Sequence, residues 1–411
     1  MRLLQRRNRP IFFYLMGSGT WFMSYGMSNV MFSWLVAIVL QESPTMVGVA
    51  QMAILVPATI FMLLGGSLSD HVGARRVAVV SQGLAVLPLL MLATVLWFDL
   101  LSFGLILVYA VSIGTLQAFV TPSRDAILNS VARGDIQRTV VKFTLVQFSM
   151  QMCGFILAGS AQTIGGTPIV LIQAIVVGIG AWSLSRVPQV AKHTQSDYVL
   201  SRDVASSIVE GCKTVLRDPA MRAVVLQNIS VGICFVGSFT VTIPLLIRDV
   251  YMGSSFDIAL IYLINSTGLV CTIVLLLFAE RLRRPGRALL LAHGLGAIVL
   301  GFAGTGVPFI GFAVLLFCWG TCGGVAMSMG RTVMLENAPE GLRGRVMGFY
   351  SFSFMGSGPI GALLWGVTAE FVGPGVALIF ASSLMFLVVA SLGVRSKLWR
   401  MTHPRISDSI V

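Results

Sequence analysis

Charge is what this sequence has least of. Only 11% of its 411 residues are Asp, Glu, Lys or Arg, against about 25% in an ordinary soluble domain. That excludes a water-soluble globular protein. Acids are the scarcest charges, 16 in all, and none sits in the middle of an apolar run. Paired carboxylates, a His cluster and a nucleophile with a base beside it are all missing from those runs, so the usual enzyme sites are excluded. No glycine-rich phosphate loop with its lysine is present, which excludes ATP hydrolysis in this chain. Cysteine is sparse, six residues. Cys318 and Cys322 share a helix face, but no further ligands lie near, so they read as small packing residues rather than a metal site. No cofactor is expected.

What the sequence has is long apolar runs. Each approaches the ~20 residues that a helix needs to cross the hydrocarbon layer. Twelve spans follow, at about 11–40, 45–69, 77–98, 102–123, 138–162, 168–186, 220–248, 256–280, 288–305, 308–330, 344–370 and 374–395. The basic start MRLLQRRNRP resembles the head of a signal peptide. The apolar stretch after it is about twice as long as a signal peptide's and has no small-residue cleavage site, so it reads as a retained first helix.

Placing both termini in the cytoplasm puts every one of the 28 Lys and Arg residues except Arg248 on the cytoplasmic side. That is the positive-inside rule, and a miscounted helix would scramble it. The same topology accounts for the net charge of +12 without a nucleic-acid partner. The outer loops are short, which leaves no folded external domain.

One connection is long. Residues 187–219 hold Val204, Ile208, Cys212 and Val215 at helical spacing, with Arg202, Glu210, Lys213 and Arg217 between them. Two readings stand: an amphipathic helix on the inner membrane surface, and a solvated linker with some helix. The chain also repeats itself. Shifted by 207 residues, Arg124 meets Arg331, Leu128 meets Leu335, Gly134 meets Gly341, Arg138 meets Arg345, Gly154 meets Gly361 and Gly159 meets Gly366. The expected architecture is all-α and integral to the membrane. Twelve helices form two pseudo-symmetric halves, 1–186 and 220–395, with a linker at 187–219 and a cytoplasmic tail at 396–411.

Between the second and third spans lies GGSLSDHVGARRV, Gly65 to Val77. Gly66 and Gly73 allow close packing and a sharp turn. Arg75 and Arg76 anchor the next helix among the inner headgroups. Asp70 stands at the membrane edge, where an acid needs a partner; a helix N-terminus on this side offers one.

Gly66, Asp70, Gly73, Arg75 and Arg76 together resemble the signature loop of the major facilitator superfamily, G-x-x-x-D-x-x-G-[RK]-[RK], with Ala74 departing from it. The segments TPSRDAILNSVARGDIQRTV (121–140) and APEGLRGRVMGFYS (338–351) resemble the branch that holds macrolide-efflux and enterobactin-export proteins. The resemblance implies the major facilitator fold in a bacterial inner membrane and export of a small organic molecule by alternating access. It also implies that Asp70 latches the cytoplasmic face, with Arg124 as partner and Arg331 as its counterpart in the second half. The alternative is that Asp70 only caps and anchors a turn. In the second half the matching loop, AERLRRPGR (279–287), keeps an acid at Glu280 but loses the glycine spacing.

A transporter of this kind holds its substrate near the membrane midplane between halves. Trp21, Tyr25, Asn29 and Phe32 share a face of the first span, and Asn228, Gly232, Phe235 and Phe239 share one of the seventh. Gln117, Gln147, Gln151 and Asn265 add amides. Aromatics with a few amides suit an uncharged or amphipathic organic molecule; for each, a bond between helices is the competing role. The fourth span lacks the mid-helix Arg of the superfamily's antiporter signature. If protons drive the cycle, Asp249 beside Arg248 is the titrating pair the sequence offers. A monomer in the lipid bilayer is expected. Uptake of a nutrient, and a non-transporting receptor or partner subunit, are the alternative functions.

Overall fold

The computed structural model describes residues 2–131, 136–188, 202–278, 282–339 and 342–400. Among them there is no strand. In chain order the helices are α1 (Arg2–Trp34, extended by a π turn Leu35–Val39), α2 (Pro44–Leu68, then a π turn Ser69–Gly73) and α3 (Ala74–Leu84, continuing as Val86–Trp97). Then come α4 (Phe103–Val131), α5 (Ile136–Gly159) and α6 (Gly166–Ser185). The linker helix α7 is Arg202–Arg217. Next, α8 runs Pro219–Val231, passes two π turns (Gly232–Val236 and Ser238–Thr242) and ends as Ile243–Asp249. Last are α9 (Ser255–Phe278), α10 (Pro285–Ala303), α11 (Phe309–Asn337), α12 (Arg343–Val372) and α13 (Pro374–Arg395).

Eleven of these are both long and apolar enough to cross a membrane. The twelfth membrane-length helix, α12, has 30 residues but is more polar. Gly344, Gly348, Ser351, Ser353, Gly356, Ser357 and Gly358 dilute its apolar side chains. Small residues of this kind let helix backbones approach closely.

Local chemistry sets the helix ends. Gly73 turns the chain between α2 and α3 with φ of 103°, a value that residues with a Cβ rarely adopt. Asp218 caps α8 by accepting from the backbone N–H of Ala220 at 2.9 Å and Met221 at 2.7 Å, with Pro219 in the first turn, where its missing N–H costs nothing.

The chain forms two compact units: Met1–Glu42 with Ala53–Leu200 and Gly253–Leu260, and Ser43–Met52 with Ser201–Met252 and Ile261–Val411. The first residues of α2 thus group with the second unit, and those of α9 with the first. In the second unit a methyl on Gly366 would lie 2.8 Å from the Pro44 carbonyl oxygen. In the first, a methyl on Gly159 would lie 2.9 Å from the Ala259 Cβ, and the Ser255 hydroxyl donates to the Gly159 carbonyl at 2.9 Å.

The repeat reappears as packing. A methyl on Gly154 of α5 would run into the carbonyl oxygen of Met23 on α1, and one on Gly361 of α12 into that of Ile233 on α8. The two glycines are one of the pairs matched by the sequence shift, and each closes the same crossing in its own unit. Gly134, Gly341 and Glu280 lie outside the described residues.

The linker helix is docked on protein. A methyl on Gly211 would lie 2.7 Å from the Arg345 carbonyl oxygen, Glu210 pairs with Arg345, and Val215 is fully buried. The segment forms the helix expected of it, and at Gly211 and Val215 that helix lies against protein.

Candidate functional site

The loop between α2 and α3 is where the sequence pointed first. Asp70 is exposed, and the two ion pairs among the described residues, Arg248 with Asp249 and Arg345 with Glu210, do not include it. The Ser69 and Ser123 hydroxyls meet at 2.5 Å, so the chain positions beside Asp70 and Arg124 are in contact. The structure nevertheless does not bring Asp70 and Arg124 together. Arg124 turns inward toward α1. It is 2% exposed, with its guanidinium 4.3 Å from the Phe22 ring centre and 5.9 Å from that of Trp21. The aromatic faces supply cation–π attraction, while its Nε and Nη1 have no hydrogen-bond partner. The Tyr14 hydroxyl donates to the Arg124 carbonyl at 3.2 Å. Its repeat counterpart, Arg331, is exposed, so the two halves differ here.

Gly66 and Gly73 part company too. A methyl on Gly66 would meet nothing within 4 Å, whereas one on Gly65 would strike the Ala118 carbonyl of α4. The close-packing glycine is therefore Gly65, one residue earlier than expected. Arg75 donates to the Ser185 carbonyl at the end of α6, and Arg76 is exposed. A cavity of about 560 Å³ lies between them, lined by Leu68, Val72, Val77, Val80 and Ser185 among others.

In the first unit Tyr25 is 38% exposed. Asn29, one turn on, is half-buried. Gln117, Gln147 and Gln151 are half-buried. Trp21 is buried beneath Arg124, and Phe32 is buried and stacks on Tyr109. Tyr25, Asn29 and the three glutamines thus all keep some exposed surface in this unit.

In the second unit the amides are engaged. Asn228 donates to the Tyr350 carbonyl at 2.8 Å and to the Ser353 hydroxyl at 2.9 Å, both on α12. Asn265 donates to the Leu316 carbonyl of α11 at 3.0 Å. Both tie helices together, the competing role set out for them above. The expected face of Asn228, Gly232, Phe235 and Phe239 divides in two: Asn228 and Gly232 meet α12, while Phe235 and Phe239 both meet the Trp319 ring of α11. The π turns in α8 each shift the register, and Phe239 stacks on Tyr262 of α9 with ring centres 4.3 Å apart. Asp249 is exposed and bonded to Arg248 at 2.5 and 3.0 Å. At the same outer end of this unit, the Glu370 carboxylate accepts from the Thr45 backbone N–H at 3.0 Å.

One polar contact inside a membrane helix was not anticipated. Gln227 of α8 meets the His293 ring of α10 at 2.6 Å. The available signal was that His293 is the one His within an apolar span.

A many-helix bundle with uncharged polar faces and glycine crossings repeated in two units defines a polytopic membrane transporter. Residues 15–362 match the family model of the Major Facilitator Superfamily, and the chain belongs to that family; it is a multi-pass transporter and not an enzyme. It is 26% identical over 368 residues to the multidrug efflux pump Tap of Mycolicibacterium fortuitum, covering 85% of this chain and 86% of that protein. The fold matches the nucleoside transporter NupG (TM-score 0.71, 13% identity, 96% of this chain and 100% of that one). It also matches a POT family transporter crystallised with 5-aminolevulinic acid (TM-score 0.73, 14% identity, 95% and 96%).

Proposed function

We propose that this transporter exports small amphipathic organic molecules across the bacterial cytoplasmic membrane by alternating access, with both termini inside. The observation that carries the reading is the match to a multidrug efflux pump along 85% of the chain. The exposed Tyr25 and the half-buried amides Asn29, Gln117, Gln147 and Gln151 of the same unit support it from their chemistry. An aromatic platform with amides and no fixed charge holds flat, mostly apolar ligands with few directional demands. Asp70 serves as the latch of the inner face. Its pairing with Arg124 belongs to another state of the cycle, reached when Arg124 leaves its aromatic seat. The Ser69–Ser123 contact keeps the two chain positions close enough for that exchange.

The test is efflux from cells preloaded with a lipophilic dye, a macrolide or a catecholate siderophore, with and without an uncoupler. Faster, uncoupler-sensitive loss of at least one compound is expected. Accumulation in place of loss would reverse the assigned direction. No movement of any compound, with the protein shown in the membrane, would sink the reading.

A further inference from the structure

Among the described residues every acid stands in a loop, in the linker helix or toward a helix end, so none of them offers a mid-membrane carboxylate to carry a coupling proton. One imidazole does stand there. His293 lies eight residues into α10 (Pro285–Ala303), about 12 Å along a helix that rises 1.5 Å per residue, within a hydrocarbon core of about 30 Å. An ionisable side chain at that depth is costly and marks a proton or ion path.

The contact it makes has two states. Nδ1 of His293 is 2.6 Å from Nε2 of Gln227. Two nitrogens at that distance share one proton, so the amide N–H donates and Nδ1 accepts, and the imidazole is neutral. Gln227 is 1% exposed, and its Oε1 is buried with no hydrogen-bond partner. A proton arriving on Nδ1 would set two donors against each other. A half-turn of the amide removes the conflict, because the orphaned Oε1 then accepts from Nδ1–H. The buried oxygen that is unsatisfied in one state is satisfied in the other. The imidazolium would also gain the Phe235 ring, whose centre is 6.0 Å away, within cation–π reach.

The charged residues of the surrounding elements sit toward their ends: Arg222 on α8, Arg287 on α10, Arg331 and Glu336 on α11, Arg343 and Arg345 on α12 and Arg395 on α13, with Lys397 and Arg400 following, and Arg248 and Asp249 of α8 and Glu370 of α12 at the opposite ends. Arg287 is engaged over the Trp399 ring. The other titratable side chains at depth on the neighbouring helices include the thiols of Cys234, Cys318 and Cys322, the Tyr262 hydroxyl, which donates to the Phe239 carbonyl, and the Tyr350 hydroxyl of α12 beside Gly330. Gln227 stands one turn before the first π turn of α8, and π turns mark places where a helix changes register.

We propose that His293 is the proton-binding residue of this transporter, and that its protonation turns the Gln227 amide and so acts on α8. The step moves one proton onto the Nδ1 lone pair from one side of the membrane and releases it to the other, with no bond made or broken elsewhere. That this proton drives export rests on the function proposed above.

The first arm measures ethidium in proteoliposomes of the full chain. An imposed pH gradient should drive dye accumulation in the wild type. His293→Gln should lose it by at least roughly tenfold while keeping at least about half of the dye exchange seen without a gradient. Gln227→Glu, whose carboxylate holds the imidazolium, should move the pH profile of transport toward higher pH. Gradient-driven accumulation retained in His293→Gln, exchange and accumulation lost in equal measure, or accumulation abolished by Asp249→Asn would each overturn the proposal. The second arm needs no substrate. In nanodiscs with 15N-histidine, the chain's four imidazoles give four signals, and the one missing from His293→Gln should titrate reversibly. If it stays neutral from pH 4 to pH 9, His293 is a packing residue. If it titrates while no dye moves in the wild type, the proton site stands and the export reading falls.

Discussion

The hydroxyls of Ser69 and Ser123 touch at 2.5 Å, while the charged side chains that follow each of them, Asp70 and Arg124, point apart. One faces water and the other is sealed against α1. A latch built from this pair is open here, and closing it means drawing Arg124 off the Phe22 and Trp21 rings.

Both charges should therefore matter to transport and little to folding. Asp70→Asn should cut dye efflux by roughly tenfold, the change expected when one state loses about 1.4 kcal/mol of a charge-assisted bond, at near-normal membrane levels. Arg124→Met should do the same while holding or raising the thermal midpoint, because a buried cation lacking hydrogen bonds at Nε and Nη1 gives way to an apolar chain of similar length. Equal transport per molecule in either variant ends the latch idea.

Glycine positions in the loop should separate by mechanism. Gly65→Ala drives a methyl into the α4 backbone and should cost about 1–3 kcal/mol. Gly73→Ala places a Cβ at φ of 103° and should cost about 1 kcal/mol or more. Gly66→Ala meets open space and should stay within about 0.5 kcal/mol of wild type. Thermal unfolding in detergent, read by size-exclusion fluorescence, ranks the three.

Asp249 and Arg248 form a partly exposed pair between sequence neighbours, a geometry worth about 1 kcal/mol. Asp249→Asn should leave dye efflux within about twofold of wild type. A loss on the scale of Asp70→Asn would return the coupling role to the outer mouth.

Docking of the linker helix rests on Gly211. Gly211→Leu should force α7 away from Arg345 and raise amide hydrogen exchange across 202–217, with little change in α12. Glu210→Gln removes only an exposed ion pair and should change exchange far less. Equal effects from both would mean that the charge, not the close backbone approach, holds the helix.

Architecture was legible in the sequence because bilayer thickness and loop charge are written residue by residue. The spans, the cytoplasmic basic loops and the Gly154–Gly361 match all follow from one-dimensional rules. Side-chain direction was not legible. Nothing in the string tells Gly65 from Gly66, or shows that Arg124 folds under two rings while Arg331 stays in water. The amides Asn228 and Asn265 looked like ligand groups, yet each found a carbonyl on the next helix, as buried amides in lipid must. His293 drew no reading because a lone imidazole in an apolar run has no pattern, and its meaning depends on Gln227, 66 residues earlier.

The two π turns of α8 have a consequence for descent. Each holds one residue more than an α-helical turn, so a one-residue gain or loss there can be absorbed without breaking the span. Gly154 meets Met23 and Gly361 meets Ile233. The glycines are 207 positions apart and their partners 210, so the two halves keep the same crossing across a three-residue difference in spacing. Removing one residue from Gly232–Val236 should restore a plain helix and rotate everything beyond it, Phe239 included, by about 100°. Indels inside α8, more than substitutions, are where relatives of this chain would be free to re-aim the aromatic wall.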